Sequence, residues 1–218
     1  AERLKRRYGR KLTEDREEFD QCTEALVRQD SDIGRKVDEY SQFARMPKPS
    51  YADSDLKEAI KEAVFLREVA RPEIEFEVES GDVPLEGQFD PRLISQAIGN
   101  VVKNAAESIE AVLAENASHK GQIKLQASDE GSFLKVVVID NGIGLPQKSR
   151  QRLLEPYMTT RDKGTGLGLA IVRKIIEDHG GSVDLTDAPD LKDGESGAMV
   201  TLTISKVRSA ASEEEPDS

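Results

Sequence analysis

The chain has 218 residues, 37% of them hydrophobic and 33% charged, with a formal net charge of −11. That is polar yet still allows a core, fits one ordinary domain plus something smaller, and argues against a duplex nucleic-acid binder, which needs Lys and Arg against phosphates. No signal-peptide pattern opens the chain, its longest apolar run, Val136 to Ile139, is far too short for a bilayer, and the single Cys22 excludes a disulfide framework, so a cytoplasmic chain without membrane contact is expected.

The first stretch, Ala1 to Gly9, is basic and reads as the tail of a helix ending at Gly9. From about Thr13 to Ala44 a long helix is expected. Its apolar positions Phe19, Cys22, Leu26, Ile33, Val37, Tyr40 and Ala44 step by three and four, apart from one polar break near Gln29 and Asp30. That is a coiled-coil-like seam, as in a helical hairpin, with Cys22 read as a small core residue. Pro47 and Pro49 stop the helix and mark a linker. Residues 1–46 are too few to bury their own seam, which predicts self-association. A different kind of domain is expected over 47–207, and the acidic tail 208–218 should be disordered.

In that domain a helix is expected from Asp53 or Ser54 to Ala70, ended by Pro72. Ile74, Phe76 and Val78 alternate with Glu, giving a strand with one buried face. Asp90-Pro91 starts a helix, with Asp as N-cap and Pro at the first helical position. Its apolar side carries Ile94, Ala97, Ile98, Val101, Val102, Ala105, Ile109 and Val112. Gln122–Ala127 and Phe133–Asp140 read as a hairpin, and a short helix follows near Lys148–Leu154. A longer helix from Gly166 to His179 is closed by Gly180-Gly181, before closing strands Ser182–Leu185 and Ala198–Ser205. Strands and helices mix without βαβ regularity. The fold class is therefore α+β, a two-layer sandwich with helices on one face of a mixed sheet.

Three constellations carry chemistry. Asn100 and Asn104 lie four apart on one helical face, beside Lys103 and Glu107. An Asn oxygen is a hard neutral ligand suited to Mg2+, although such a pair alone is more ordinarily a solvated face. Asp140-Asn141-Gly142-Ile143-Gly144 stands where a buried strand ends. A carboxylate there suits an exocyclic amine such as that of adenine, and a plain turn explains the motif equally well. Gly164-Thr165-Gly166-Leu167-Gly168-Leu169 immediately precedes a helix, where backbone N–H groups cradle phosphates, and Arg161 and Lys163 stand just upstream. It is neither the dinucleotide fingerprint nor a Walker loop, because Leu169 replaces the last glycine and no G-K-[ST] follows.

Taken in this order and spacing, the three elements resemble the GHKL superfamily (the Bergerat ATP-binding fold), which includes sensor histidine kinases, gyrase-type ATPases, Hsp90 and MutL. Asn100-Val101-Val102-Lys103-Asn104-Ala105 is similar to its N box and Asp140 to Gly144 to its G1 box. Leu154-Glu155-Pro156-Tyr157-Met158-Thr159-Thr160 resembles the F box, and Gly164 to Leu169 the G2 box. The likeness covers roughly residues 50–206. It implies ATP and Mg2+ as cofactors, with Asn104 on the metal and Asp140 on the adenine amine. By the same likeness Gly166, Leu167 and Gly168 wrap the phosphates, and residues 145–163 form the ATP lid. Asn100, Lys103, Gly142, Gly144, Thr159, Thr160, Lys163, Gly164, Thr165, Leu169 and Thr201 complete the implied nucleotide site. One departure is that Tyr157-Met158 stand where the family often has two aromatics.

Gyrase-like members place a Glu base four residues before the Mg2+ ligand. Asn100 stands there instead and accepts no proton at neutral pH, which resembles the histidine-kinase branch. The helix Glu14–Met46, with its ending Phe43 to Pro49, is similar to the second dimerisation helix of NtrY-type nitrogen-regulation kinases. The likeness implies γ-phosphate transfer from ATP to a His and then to a response-regulator Asp, in a homodimer. It also implies a parent anchored in the inner membrane by a preceding region. The expected phosphoacceptor His lies before the stretch matched by Ala1 to Leu4. His119 reads as a loop residue, and His179 as a helix-end residue favourable to the dipole. No catalytic residue is therefore assigned within these residues, and the chain is expected to bind ATP without labelling itself. A nucleotide-dependent regulator without transfer chemistry and a GHKL ATPase remain the alternatives.

Overall fold

The computed structural model describes residues 16–159, 165–189 and 197–207. The chain divides into two compact units, Ala1–Met46 and Pro47–Ser218. In the first, α1 (Arg16–Ala44) carries the expected seam on its surface: Leu26, Ile33, Val37 and Tyr40 are each more than half exposed. Cys22 is exposed with them and is not the core residue expected of it. The helix tail expected up to Gly9 and the acidic tail beyond residue 207 lie outside the described residues.

The second unit runs β1 (Ala52–Asp55), α2 (Leu56–Ala70), β2 (Ile74–Glu79), β3 (Glu86–Phe89), α3 (Pro91–Glu115) and β4 (Gly121–Asp129). It continues with β5 (Phe133–Asp140), a 3-10 turn (Arg150–Leu154), α4 (Gly168–Asp178), β6 (Ser182–Asp187) and β7 (Ala198–Ser205). Five strands form one sheet in the order β2-β4-β5-β7-β6, with β2 parallel to β4 and the other pairs antiparallel. Three helices cover one face. Ile123, Leu125, Leu134, Val136, Leu202 and Ile204 point from the sheet towards Ile94, Ile98, Val102, Val172 and Ile176, all essentially sealed from solvent. Burying each such side chain contributes roughly 1.5–3 kcal/mol, so this interlayer is the main favourable term in the fold. On the opposite face Lys124 reaches Glu77 and Glu79, and Gln126 reaches Glu79, as suits a surface facing water.

α3 starts as expected. The Asp90 carboxylate accepts from the Arg92 and Leu93 N–H groups, and Pro91 follows at the first helical position. The start of α2 differs. Residues 52–55 pair as a strand with 86–89, and the helix begins only at Leu56. Asp55 is its true cap, with Oδ1 accepting from both Lys57 and Leu85. The second partner is 30 residues away, and helical periodicity carries no trace of it. β2 also departs from a half-buried strand, because as an edge strand it covers Ile74 while leaving Val78 nearly half exposed.

The end of α4 corrects the reading of His179. Gly180, at φ +66°, and Gly181 close the helix by bonding back to Glu177 and Ile176, the Schellman pattern. His179 is not a cation at a helix terminus but a buried side chain, 2% exposed. Its Nε2 accepts the Asp90 backbone N–H at 3.0 Å, so its proton sits on Nδ1 and goes to the Ile175 carbonyl at 2.7 Å. Burial pushes this imidazole below its ordinary pKa of 6.5, outweighing the upward pull of the Ile175 carbonyl and of the Asp90 and Asp178 carboxylates. A lowered folded pKa means that the unfolded chain takes up the proton first. The stability due to neutral His179 should be complete above pH 6.5 and drain away as pH falls through and below that value. Urea unfolding at stepped pH should show this slope, and His179→Asn should flatten it; an unchanged slope would refute the buried neutral ring.

Candidate functional site

The candidate site gathers where α3, the end of β5 and the start of α4 meet. Asp140, the last residue of β5, pairs in register with Ile123 on one side and Ala198 on the other, and is 4% exposed. Its Oδ1 accepts the Gly142 N–H at 2.9 Å, which curls the chain into the loop after the strand. Asn141 turns the other way. Its Oδ1 accepts from the Gln122 N–H and its Nδ2 donates to the Lys120 carbonyl, both at 2.7 Å, so this carboxamide extends the β4 edge. The expected motif is thus divided between a buried Asp that holds the turn to Gly142 and an Asn committed to β4.

Sequence reasoning missed Ser108. It lies on α3 one turn beyond Asn104, is buried, and its hydroxyl accepts the Ile143 N–H at 3.0 Å, while Gly142 packs against its backbone. The helix that carries the N box therefore also pins the G1 loop. The four-residue step from Asn104 was the available signal.

Gly197 was missed as well, and nothing in the pattern marked it. A Cβ there would stand 1.9 Å from the Asp140 carbonyl oxygen, so only glycine lets β7 begin against the end of β5. The Gly197 carbonyl accepts the Ala188 N–H at 3.0 Å and backs Gly144, which sits at φ +74°.

α4 begins at Gly168, two residues later than expected, and its first backbone bond runs from Ile171 to Leu167. The Gly168, Leu169 and Ala170 amides consequently have no acceptor within the helix, and Gly168 itself lies beside α3. There a Cβ on Gly168 would lie 3.9 Å from both polar atoms of the Asn104 carboxamide. Thr165 turns the chain into the helix, its hydroxyl accepting the Leu167 N–H at 3.4 Å, and Leu167 is buried as the anchor. Gly166, at φ +70°, packs so tightly on Tyr157 that a Cβ would meet Tyr157 backbone at 2.5 Å. In return its carbonyl accepts the Tyr157 N–H at 3.0 Å. Tyr157 itself holds φ +66°, a left-handed geometry that costs a bulky side chain of order 1–3 kcal/mol. The F box and the glycine run are thereby bolted together backbone to backbone.

The remaining expected residues divide. Asn100 and Asn104 are half-buried on α3, while Lys103 reaches Glu107 one turn on, at 3.9 Å. Thr159 is exposed, and Thr160, Lys163 and Gly164 lie outside the described residues. Thr201 stands apart. It pairs with Val137 and Asp184 on the sheet face opposite Asp140, while its neighbours Val200 and Leu202 face the helices. The stretch between the G1 loop and the F box is fastened to the sheet edge by Arg150, which bonds Asp187 at 2.6 Å and the Pro146 carbonyl at 3.0 Å.

These residues suit a nucleotide with a divalent cation: a neutral hard oxygen on Asn104, helix-end amides beside it and a buried carboxylate on Asp140. Among the described residues no cluster of His, Cys, Asp and Glu could hold a metal by itself, so a cation here would share its shell with phosphate oxygens. No helix among them is long and apolar enough to cross a membrane.

Comparison with known proteins shows the family. The family model described as histidine kinase-, DNA gyrase B- and HSP90-like ATPase matches residues 89–208. The nitrogen regulation protein NtrY of Azorhizobium caulinodans is 54% identical over 206 residues, which are 94% of this chain and 26% of that protein. The chain therefore spans about a quarter of that relative's length. The solved catalytic domain of histidine kinase ThkA is 30% identical with a TM-score of 0.61, over 72% of this chain and 97% of that one. ThkA in complex with response regulator protein TrrA matches at 25% identity and a TM-score of 0.64, over 84% of this chain and 49% of that one.

Proposed function

Since the chain belongs to the histidine kinase-, DNA gyrase B- and HSP90-like ATPase family, we propose that it is the ATP-binding part of a nitrogen-regulation sensor histidine kinase. The observation that carries the reading is the Asn104 carboxamide set against Gly168 at the open end of α4, with Asp140 buried nearby. Asp140 accepts the adenine amine. Asn104 offers its oxygen to Mg2+, and the amides of Gly168 and Leu169 hold phosphate oxygens. Bound Mg2+ neutralises charge on the β- and γ-phosphates, and the chain's own contribution is to orient and shield them. The γ-phosphoryl group then passes to an imidazole nitrogen on a separate helix, with ADP as leaving group, and on to a response-regulator aspartate. Asn100 is a neutral amide and supplies no base to activate water, which disfavours a hydrolase.

The exposed seam Leu26, Ile33, Val37 and Tyr40 on α1 is the surface proposed to pair with a second copy and to present the acceptor helix. One experiment tests both parts. Mixed with a longer chain that carries the acceptor His but whose own nucleotide site is weakened by Asp140→Asn, at an ATP concentration that fills only the unmodified site, this chain should place acid-labile, base-stable label from radioactive ATP on that partner. The seam variant Leu26→Lys/Val37→Lys should transfer far less. Label appearing on these 218 residues alone, or no transfer at all while ATP binds, would count against the proposal.

A further inference from the structure

The segment that opens the second unit grips both helices of the candidate site, at their ends remote from it. The Ser50 N–H donates to Asp90 Oδ2 at 2.9 Å, and the Tyr51 hydroxyl donates to the Asp178 carbonyl at 2.6 Å. Asp90 caps the start of α3, and Asp178 is the last residue of α4. His179 ties the two ends to each other: Nδ1 bonds the Ile175 carbonyl inside α4, and Nε2 takes the Asp90 N–H of α3. The Tyr51 ring lies 5.3 Å from the His179 ring, tilted by 48°. Ser50 and Tyr51 stand only a few residues past the Met46–Pro47 boundary between the units.

α3 and α4 run antiparallel, since the start of α3 meets the end of α4 while Asn104 meets Gly168 at the start of α4. Asp90 and Asn104 are 14 positions apart, about 21 Å along the helix at 1.5 Å per residue. Apolar packing fixes the angle and spacing of two helices, but directional bonds between their ends fix how far one is slid along the other. Each helix is stiff along its axis, so a slide at the Asp90–His179 end reaches the Asn104–Gly168 end undiminished. The candidate site depends on that second distance.

We propose that Ser50 and Tyr51 form a clasp that sets the axial register of α3 against α4, so that docking of this segment and nucleotide binding are energetically coupled. Tyr51 and His179 are then positioning residues, acting through the two helices rather than on the ligand. Whatever draws the segment away from the domain lowers nucleotide affinity, and by linkage nucleotide holds the segment down with equal strength. The clasp is built of hydrogen bonds and a ring contact at a domain margin, outside the interlayer core, so it can open while that core stays shut.

This inference rests on the nucleotide reading of the site. Its test is calorimetry with Mg-ATP on the full chain and on Tyr51→Phe, which keeps the ring and removes only the hydroxyl, together with hydrogen exchange of the Ser50 and Asp90 amides. Tyr51→Phe should raise the dissociation constant roughly threefold to tenfold, the worth of one hydrogen bond. ATP should slow exchange of both amides in the unmodified chain and do so less in the variant. A lowered melting temperature with unchanged affinity and no ATP effect on those amides would mean a merely structural contact and overturn the proposal. Failure of the unmodified chain to bind ATP would instead overturn the reading of the site, and the clasp with it.

Discussion

Replacing Asp140 with Asn should weaken ATP binding by about 1.5–3 kcal/mol, more than tenfold in affinity, while leaving the fold intact. The two halves of that expectation have separate grounds. Asp140 Oδ1 accepts the Gly142 N–H, and an Asn oxygen in the same place accepts it equally well, so the loop keeps its shape. What disappears is the charge on a carboxylate that is 4% exposed, where, on the proposed reading, little water would compete for the adenine amine. The second atom also changes from an acceptor to an amide donor, which on the proposed reading would meet the adenine amine as donor against donor. Calorimetry on the two proteins, alongside urea unfolding, separates affinity from stability. Equal affinities would remove Asp140 from the adenine site.

Gly197→Ala should be the most damaging single-methyl change near the site. Its Cβ would stand 1.9 Å from the Asp140 carbonyl oxygen and 3.1 Å from the Asn141 Cα, both backbone that cannot rotate aside. Forcing β7 away from β5 there should cost upwards of 1–3 kcal/mol in overpacking. It should also move Asp140, so ATP affinity should fall together with stability. Gly131→Ala is the control, because Gly131 holds φ +81° in the β4–β5 turn, at the other end of β5 from Asp140 and clear of α3 and α4. That variant should lose stability in urea unfolding through backbone strain while its folded fraction binds ATP normally. If both variants bind equally well once folded, Gly197 is a packing residue and no more.

Most of the architecture was legible because its causes are local. The Asp90-Pro91 start of α3, the apolar stripe of that helix and the Gly180-Gly181 ending of α4 each follow from side-chain chemistry within a few residues. β1 and β3 were not legible, since Ala52–Asp55 is a strand only because Glu86–Phe89 lies beside it. His179 misled for the same reason. Its position in the helix says dipole, while its state is decided by an N–H from residue 90 and by burial. In the site itself, motif spacing marked Asn104, Asp140 and Gly168. It could not mark Gly197, whose requirement is a contact across the sheet, or show that Asn141 serves β4. Thr201 was expected at the site from the family resemblance, and strand parity puts it on the face opposite Asp140.

The parallel edge strand β2 and the helix α2 bear on how this unit can be divided. The recognisable family block begins at residue 89, after both of them. Yet Ile60 and Val64 of α2 are buried in the same core as α3, β2 flanks β4 on the side away from β5, and Ser50 completes the cap at Asp90. A piece cut at residue 89 would bare the flank of its central helix and open a new sheet edge ready to pair with other chains. The block that the family model matches is thus smaller than the unit that packs together: the match starts at residue 89, while the compact unit starts at Pro47.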